Sequence, residues 1–179
     1  LGAFRPAAED PLDLKDVPEP SVGPEEILIR VRRCGVCHTD LHAVEGELAG
    51  AKLPLVPGHE VIGVVERAGE RAKTFRIGER VGAAWLRSAC GVCRFCVSGR
   101  ENLCESATFN GRDADGGYAE FIAVPEKFAY AVPDRFSDDE AAPLMCAGIV
   151  GYRALAQSGV RKGGVLGLYG FGASAHITL

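Results

Sequence analysis

The sequence has no apolar run approaching the ~18 residues that a bilayer-spanning helix needs. Its first residues show neither the basic patch nor the apolar stretch of a secretory leader. These absences predict a cytoplasmic protein. No long block of one charge sign interrupts the chain, whose net charge is -4. It therefore lacks the electrostatic footprint of a nucleic-acid or membrane-surface binder, and small molecules or further subunits are the expected partners. Internal repeats and low-complexity tracts are missing too. What is present is a chain of 179 residues, 47% apolar and 25% charged, enough to bury one core and to begin a second domain.

The seven cysteines are the most informative feature. In a reducing compartment, grouped thiols are better read as metal ligands than as disulfides. Cys90, Cys93, Cys96 and Cys104 stand at C-x2-C-x2-C-x7-C spacing, close enough for one tetrahedral ion to take all of them. Zn2+ with four thiolates is a closed centre without room for substrate, which predicts a structural site. Cys37, His59 and Cys146 are left as a Cys2His set, and three ligands with an open fourth position describe a catalytic zinc. Spacing alone leaves that trio equally open to a reading as buried cysteines and a satisfied histidine. Cys34 closes an alternating segment and reads as a small buried hydrophobe.

Ile27, Ile29 and Val31 alternate with Leu28, Arg30 and Arg32, the period of a strand with one buried face. Further strands are expected at Val61 to Glu66, Arg80 to Trp85 and Tyr118 to Val124, separated by glycine-bearing turns such as Asp115-Gly116-Gly117. Several short strands with turns suggest a closed or nearly closed β barrel. Cys37 to Val44 reads as a short helix that makes Thr39 and His42 neighbours. After Pro133 the pattern changes. Ser137 and Glu140 form a capping-box pattern, and Cys146 to Gln157 has helical apolar spacing that ends at Ser158-Gly159. Gly164 to Tyr169 reads as a short buried strand, followed by Gly170-Phe171-Gly172-Ala173-Ser174-Ala175 and the start of a helix. A parallel strand buries itself only among neighbours, so the chain reads as part of a larger protein.

The words around these ligands carry a resemblance. Gly35-Val36-Cys37-His38-Thr39-Asp40-Leu41-His42, Pro57-Gly58-His59-Glu60, the four-cysteine loop and the glycine turn occur in that order. Together they resemble the zinc-dependent alcohol dehydrogenases of the medium-chain dehydrogenase/reductase superfamily, from about Val22 to the last residue. The resemblance implies a mixed α+β fold, with a GroES-like β-barrel catalytic domain over 1–147 and the first βα unit of a Rossmann cofactor domain over 148–179. It also implies hydride transfer between an alcohol or aldehyde and NAD or NADP, two Zn2+ per chain, and a homo-oligomer, dimeric or tetrameric.

Position by position, the resemblance makes Cys37, His59 and Cys146 the catalytic zinc ligands and Cys90, Cys93, Cys96 and Cys104 the structural ones. Glu60 matches the acid beside the zinc histidine, and Asp40 a partner that accepts the other N–H of His59. Thr39 matches the hydroxyl that meets the substrate oxygen, and His42 a histidine that relays its proton to solvent. His38 corresponds to a position facing the coenzyme pyrophosphate. Gly170, Gly172 and Ala175 give the pattern G-x-G-x-x-A, in which the glycines allow a tight turn and close approach of the backbone to the pyrophosphate. His176 reads as a packing or surface residue and Trp85 as core. The residue that would separate NAD from NADP is expected about 20 positions after the turn, past Leu179. Two other readings stand beside this one: a non-catalytic zinc module or thiol redox sensor, and a zinc-free relative of the quinone reductase kind.

Overall fold

In a computed structural model, which describes residues 2–4 and 12–179, short strands β1 (Gly2–Phe4) and β2 (Asp13–Lys15) pair with each other. The ten-residue β3 (Glu26–Gly35) leads into α1 (His38–Val44), and β4 (Glu60–Ala68) and β5 (Arg80–Ala83) follow. An antiparallel pair, β6 (Leu86–Ser88) and β7 (Thr108–Phe109), brackets the cysteine loop. Strands β8 (Phe121–Pro125) and β9 (Ala129–Ala131) precede the helices α2 (Asp138–Ala141), α3 (Ala147–Ser158) and α4 (Ala173–Thr178).

Five strands form one antiparallel sheet in the order β8-β3-β4-β5-β9, curled into a half-barrel. Ile27 and Ile29 of β3 turn to one face, where they pack with Val61, Val65, Val81, Ile122 and Val124 in the main core. Burying one such side chain contributes about 1.5–3 kcal/mol. The expected polar face of β3 begins late, because Leu28 is as fully buried as its neighbours and only from Arg30 onward does the strand meet solvent.

Strand β4 is buried on both faces over its first six residues. Its second face presents Ile62 to a smaller cluster with Val132, Ala141 and Ala142, against which Phe136 and Met145 pack. Ser137 caps α2, its hydroxyl accepting from the Glu140 N–H at 3.2 Å while the Glu140 carboxylate accepts from the Ser137 N–H at 2.9 Å. The chain then passes through a 3-10 turn at Ala142–Met145 that lies on β4, and Cys146 is the first residue outside it. The start of β4 and the end of that turn are thus brought side by side, which is what gathers the site.

One expected strand is absent and two others are shorter at one end. Gly164 to Tyr169 is not a strand: it pairs with nothing among the described residues, and Val165 and Tyr169 are 96% and 103% exposed. The apolar pattern is right for a buried parallel strand, but such a strand is stable only between neighbours, and it meets none there. The strand expected to begin at Tyr118 starts at Phe121 instead, and the one expected to reach Trp85 stops at Ala83. Both freed ends turn toward the site described next.

Candidate metal centres

The four-cysteine loop brings the sulfurs of Cys90, Cys93, Cys96 and Cys104 within 4.8 Å of one another. Backbone donors already point at them, with Cys90 N–H to Cys104 Sγ and Cys93 N–H to Cys90 Sγ both at 3.4 Å. N–H groups of Val92 and Cys93 draw the Cys90 thiol down to about 6, whereas burial pushes the Cys96 thiol up to about 12. A buried sulfur of that kind ionises only when a cation compensates it. An all-sulfur tetrahedral donor set of this size fits Zn2+ and offers no further position for a substrate.

A second cluster joins Cys37, His59, Glu60 and Cys146, whose ligand atoms likewise lie within 4.8 Å of one another. Each arrives from a different place. Cys37 immediately precedes α1, His59 immediately precedes β4, and Cys146 roots α3. The two sulfurs are 3.8 Å apart, although their residues are separated by 109 positions. His59 is 1% exposed. Burial disfavours its charge, but the Asp40 carboxylate and the Cys146 sulfur more than offset this and lift its pKa to about 10. With Nδ1 turned to Asp40, the other ring nitrogen is left to the sulfurs. Two thiols, an imidazole and a neighbouring carboxyl are a nitrogen-sulfur donor set that suits Zn2+.

Asp40 is buried and fully engaged. Its Oδ1 accepts from the Gly58 N–H at 3.1 Å and lies 3.2 Å from His59 Nδ1, while Oδ2 accepts from the Cys37 N–H at 2.9 Å and the Tyr118 hydroxyl at 3.0 Å. Burial alone would raise its pKa, but the hydrogen bond and charge of His59 with the Cys37 N–H hold it below the ordinary carboxylate range. Glu60 goes the other way: burial pushes its carboxyl upward. Room for that carboxyl exists because residue 35 is glycine, since a Cβ there would fall 2.0 Å from Glu60 Oε2.

Thr39 is half-buried on α1 with Oγ1 3.7 Å from Cys37 Sγ, so the hydroxyl sits beside the cluster. His42 is part-exposed on the same helix, with its Nδ1 on the Glu47 carboxylate and its ring 4.7 Å from that of His38 in an edge-on contact. His38 itself is exposed. Gly170 has φ +84, Gly172 caps α4, and Ala175 lies within that helix, so the glycine turn does open a helix. His176 is exposed, with its ring 5.4 Å from Phe171.

Three neighbours of the site were not singled out by the sequence. Trp85, expected as plain core, presents its ring edge-on to His59 at 4.9 Å and stacks on Phe109 at 5.0 Å. Glu47 reaches His42 from just past the helix end, and its carboxylate in reach of an imidazole was the only local signal. Tyr118 meets Asp40 across 78 positions of sequence, a distance at which no spacing rule speaks.

Comparison with known proteins adds the following. Residues 23–134 match the family described as the alcohol dehydrogenase GroES-like domain. A probable alcohol dehydrogenase, AdhA, of Mycobacterium tuberculosis is 50% identical over 181 residues, which cover 97% of this chain and 52% of that protein. Among solved structures, a cobalt- and zinc-bound thermostable alcohol dehydrogenase from Pyrobaculum aerophilum superposes with a TM-score of 0.82 at 33% identity, over 89% of this chain and 48% of its own. The CAD of Helicobacter pylori, in complex with NADP(H), gives 0.80 at 30% identity over 88% and 48%. The chain spans about half the length of the curated relatives it matches.

Proposed function

The chain belongs to the alcohol dehydrogenase GroES-like domain family, and from that footing we propose that it supplies the metal-holding catalytic part of an oxidoreductase that moves a hydride between an alcohol or aldehyde and a nicotinamide dinucleotide. The observation that carries this reading is the gathering of Cys37, His59, Glu60 and Cys146 into one cluster with the Thr39 hydroxyl at its edge. A redox sensor has no use for that hydroxyl, and a metal-free reductase has none for the ligand set.

Cys37, His59 and Cys146 would hold the catalytic zinc, and Cys90, Cys93, Cys96 and Cys104 a structural one, two ions per chain. A zinc in the first set supplies Lewis acidity, which weakens the O–H bond of an alcohol and polarises the carbonyl of an aldehyde. The protein's own groups do the rest. Asp40 fixes His59 with Nδ1–H facing it, which makes the other nitrogen the better donor. Thr39 takes the substrate's hydroxyl proton while passing on its own, and part-exposed His42 delivers that proton to water. The electron pair of the substrate C–H bond leaves as hydride to the nicotinamide ring, so one alcohol gives one carbonyl compound, one reduced coenzyme and one proton. Glu60, whose carboxyl burial pushes upward, lies beside the ligands, where it would tune the metal.

Residues 1–147 are the catalytic unit in this reading and 148–179 open the coenzyme unit. Gly170, Gly172 and Ala175 would let the backbone approach the pyrophosphate, with His38 facing it. The whole protein is proposed to work on small alcohols and aldehydes in the cytoplasm as a homo-oligomer. No helix among the described residues is long and apolar enough to cross a membrane.

The test uses the full-length protein. Cys37→Ala and His59→Ala should abolish alcohol-dependent coenzyme reduction, whereas Cys90→Ala should mainly lower thermal stability. Undiminished turnover in all three variants would end the proposal.

A further inference from the structure

The segment Asp115-Gly116-Gly117, a turn by sequence, and Tyr118, expected to open a strand, run along the segment that delivers His59. Gly116 N–H donates to Val56 O at 2.7 Å, Gly117 N–H to Gly58 O at 2.9 Å and Tyr118 N–H to Pro57 O at 3.0 Å. Asp115 Oδ1 accepts from the Val56 N–H at 3.0 Å. The approach is so close that a Cβ on Gly116 would sit 2.1 Å from Gly58 O, and one on Gly58 would sit 2.7 Å from Tyr118 Cδ1. From this mount the Tyr118 hydroxyl reaches Asp40 Oδ2 at 3.0 Å, on the same carboxylate whose other oxygen meets His59 Nδ1 and Gly58 N–H. Backbone and side chain therefore close a ring: Tyr118 to Asp40, Asp40 to His59 and Gly58, and Pro57 back to Tyr118.

We propose that Tyr118 is a positioning residue for the catalytic metal, acting through Asp40 to set the orientation of the His59 imidazole. The inference rests on Cys37, His59 and Cys146 being a metal site. An imidazole whose far nitrogen is held by a carboxylate binds metal well only if that carboxylate is itself fixed. Asp40 is fixed on one oxygen by residues that move with the metal ligands. On the other oxygen it is held by Cys37 N–H and by Tyr118, the one hydroxyl in the set and the one donor from beyond β7.

The variant Tyr118→Phe keeps the ring, its packing and its backbone bonds and removes only the hydroxyl. Zinc affinity is measured at both sites by chelator competition, with the four-cysteine ion as internal control for folding. The expected result is about tenfold weaker binding at the Cys37/His59/Cys146 site, the lower end for partners of a ligand, and no change at the four-cysteine site. In an Asp40→Ala background the Tyr118→Phe change should add almost nothing, because its effect travels through that carboxylate. Unchanged affinity, equal weakening at both sites, or full additivity with Asp40→Ala would each overturn the assignment to Tyr118. A wild-type protein that takes only the four-cysteine ion would instead overturn the proposed function on which the assignment stands.

Discussion

Asp40 offers the sharpest perturbation, because its four hydrogen-bond partners can be accounted for one by one. In Asp40→Ala all of them lose their acceptor. The Tyr118 hydroxyl can turn to Gly35 O, 3.3 Å away, and the His59 ring can change its protonation, so neither is stranded. That leaves the N–H groups of Cys37 and Gly58, and a buried donor without a partner costs about 1–3 kcal/mol. With some relief from water entering the space, the expected loss is about 2–4 kcal/mol. Asp40→Asn keeps the shape. If its amide oxygen faces Gly58 and His59, its NH2 group faces Tyr118, which can accept from it while donating to Gly35 O. Only the Cys37 N–H is then opposed, and the expected loss falls to about 1–2 kcal/mol. Urea unfolding of the metal-free proteins, in which the His59 ring is free to shed a proton, followed by fluorescence and far-UV circular dichroism, measures both values. If Asp40→Ala unfolds within about 0.5 kcal/mol of the wild type, or Asp40→Asn costs as much as Asp40→Ala, the donor-by-donor reasoning is wrong.

Other outcomes follow from the same structure. In metal-free protein at pH 7, Cys90, with its thiol drawn down to about 6, should alkylate first, and Cys34 and Cys96, both pushed up to about 12 by burial, should alkylate last; peptide mass spectrometry after timed iodoacetamide exposure ranks them. Gly58 has φ +99 and no space for a Cβ, so Gly58→Ala should cost at least about 2 kcal/mol of stability and release the second zinc, read by denaturation and metal analysis. Burial pushes the Glu126 carboxyl upward, but the N–H groups of Thr74 at 2.7 Å and Lys73 at 3.1 Å that it accepts together outweigh this and hold it below the ordinary range. A folded-state pKa below the unfolded one stabilises above the unfolded value, and the gain is lost as pH falls through the folded one. Glu126→Gln should therefore lower stability near pH 7 by about 0.5 kcal/mol after solvent screening, with the gap closing in acid; a gap that widens on acidification would contradict this.

Much of the fold from β3 to α2 was legible because its signals are local. The four-cysteine loop closes within fifteen positions, alternation around Ile27 and Ile29 marks β3, and Ser137 with Glu140 marks the start of α2. The meeting of Cys37 with Cys146 could be suspected only from resemblance, since β4 and the Ala142–Met145 turn bring them together through packing at Ile62. Tyr118 and Trp85 escaped for the same reason. Each lies at an end where an expected strand falls short, and its partner is remote in sequence. The miss at Gly164 to Tyr169 has the opposite cause: the local pattern is sound, but the neighbours that would satisfy it are not among the described residues.

Cys146 stands where the turn lying on β4 ends and the long arm of α3 begins. Its backbone position is set by Ala142 and Met145 packing with Ile62 rather than by the helix that follows. A substitution farther along α3 should therefore leave the 3.8 Å approach of the Cys146 sulfur to that of Cys37 as it is.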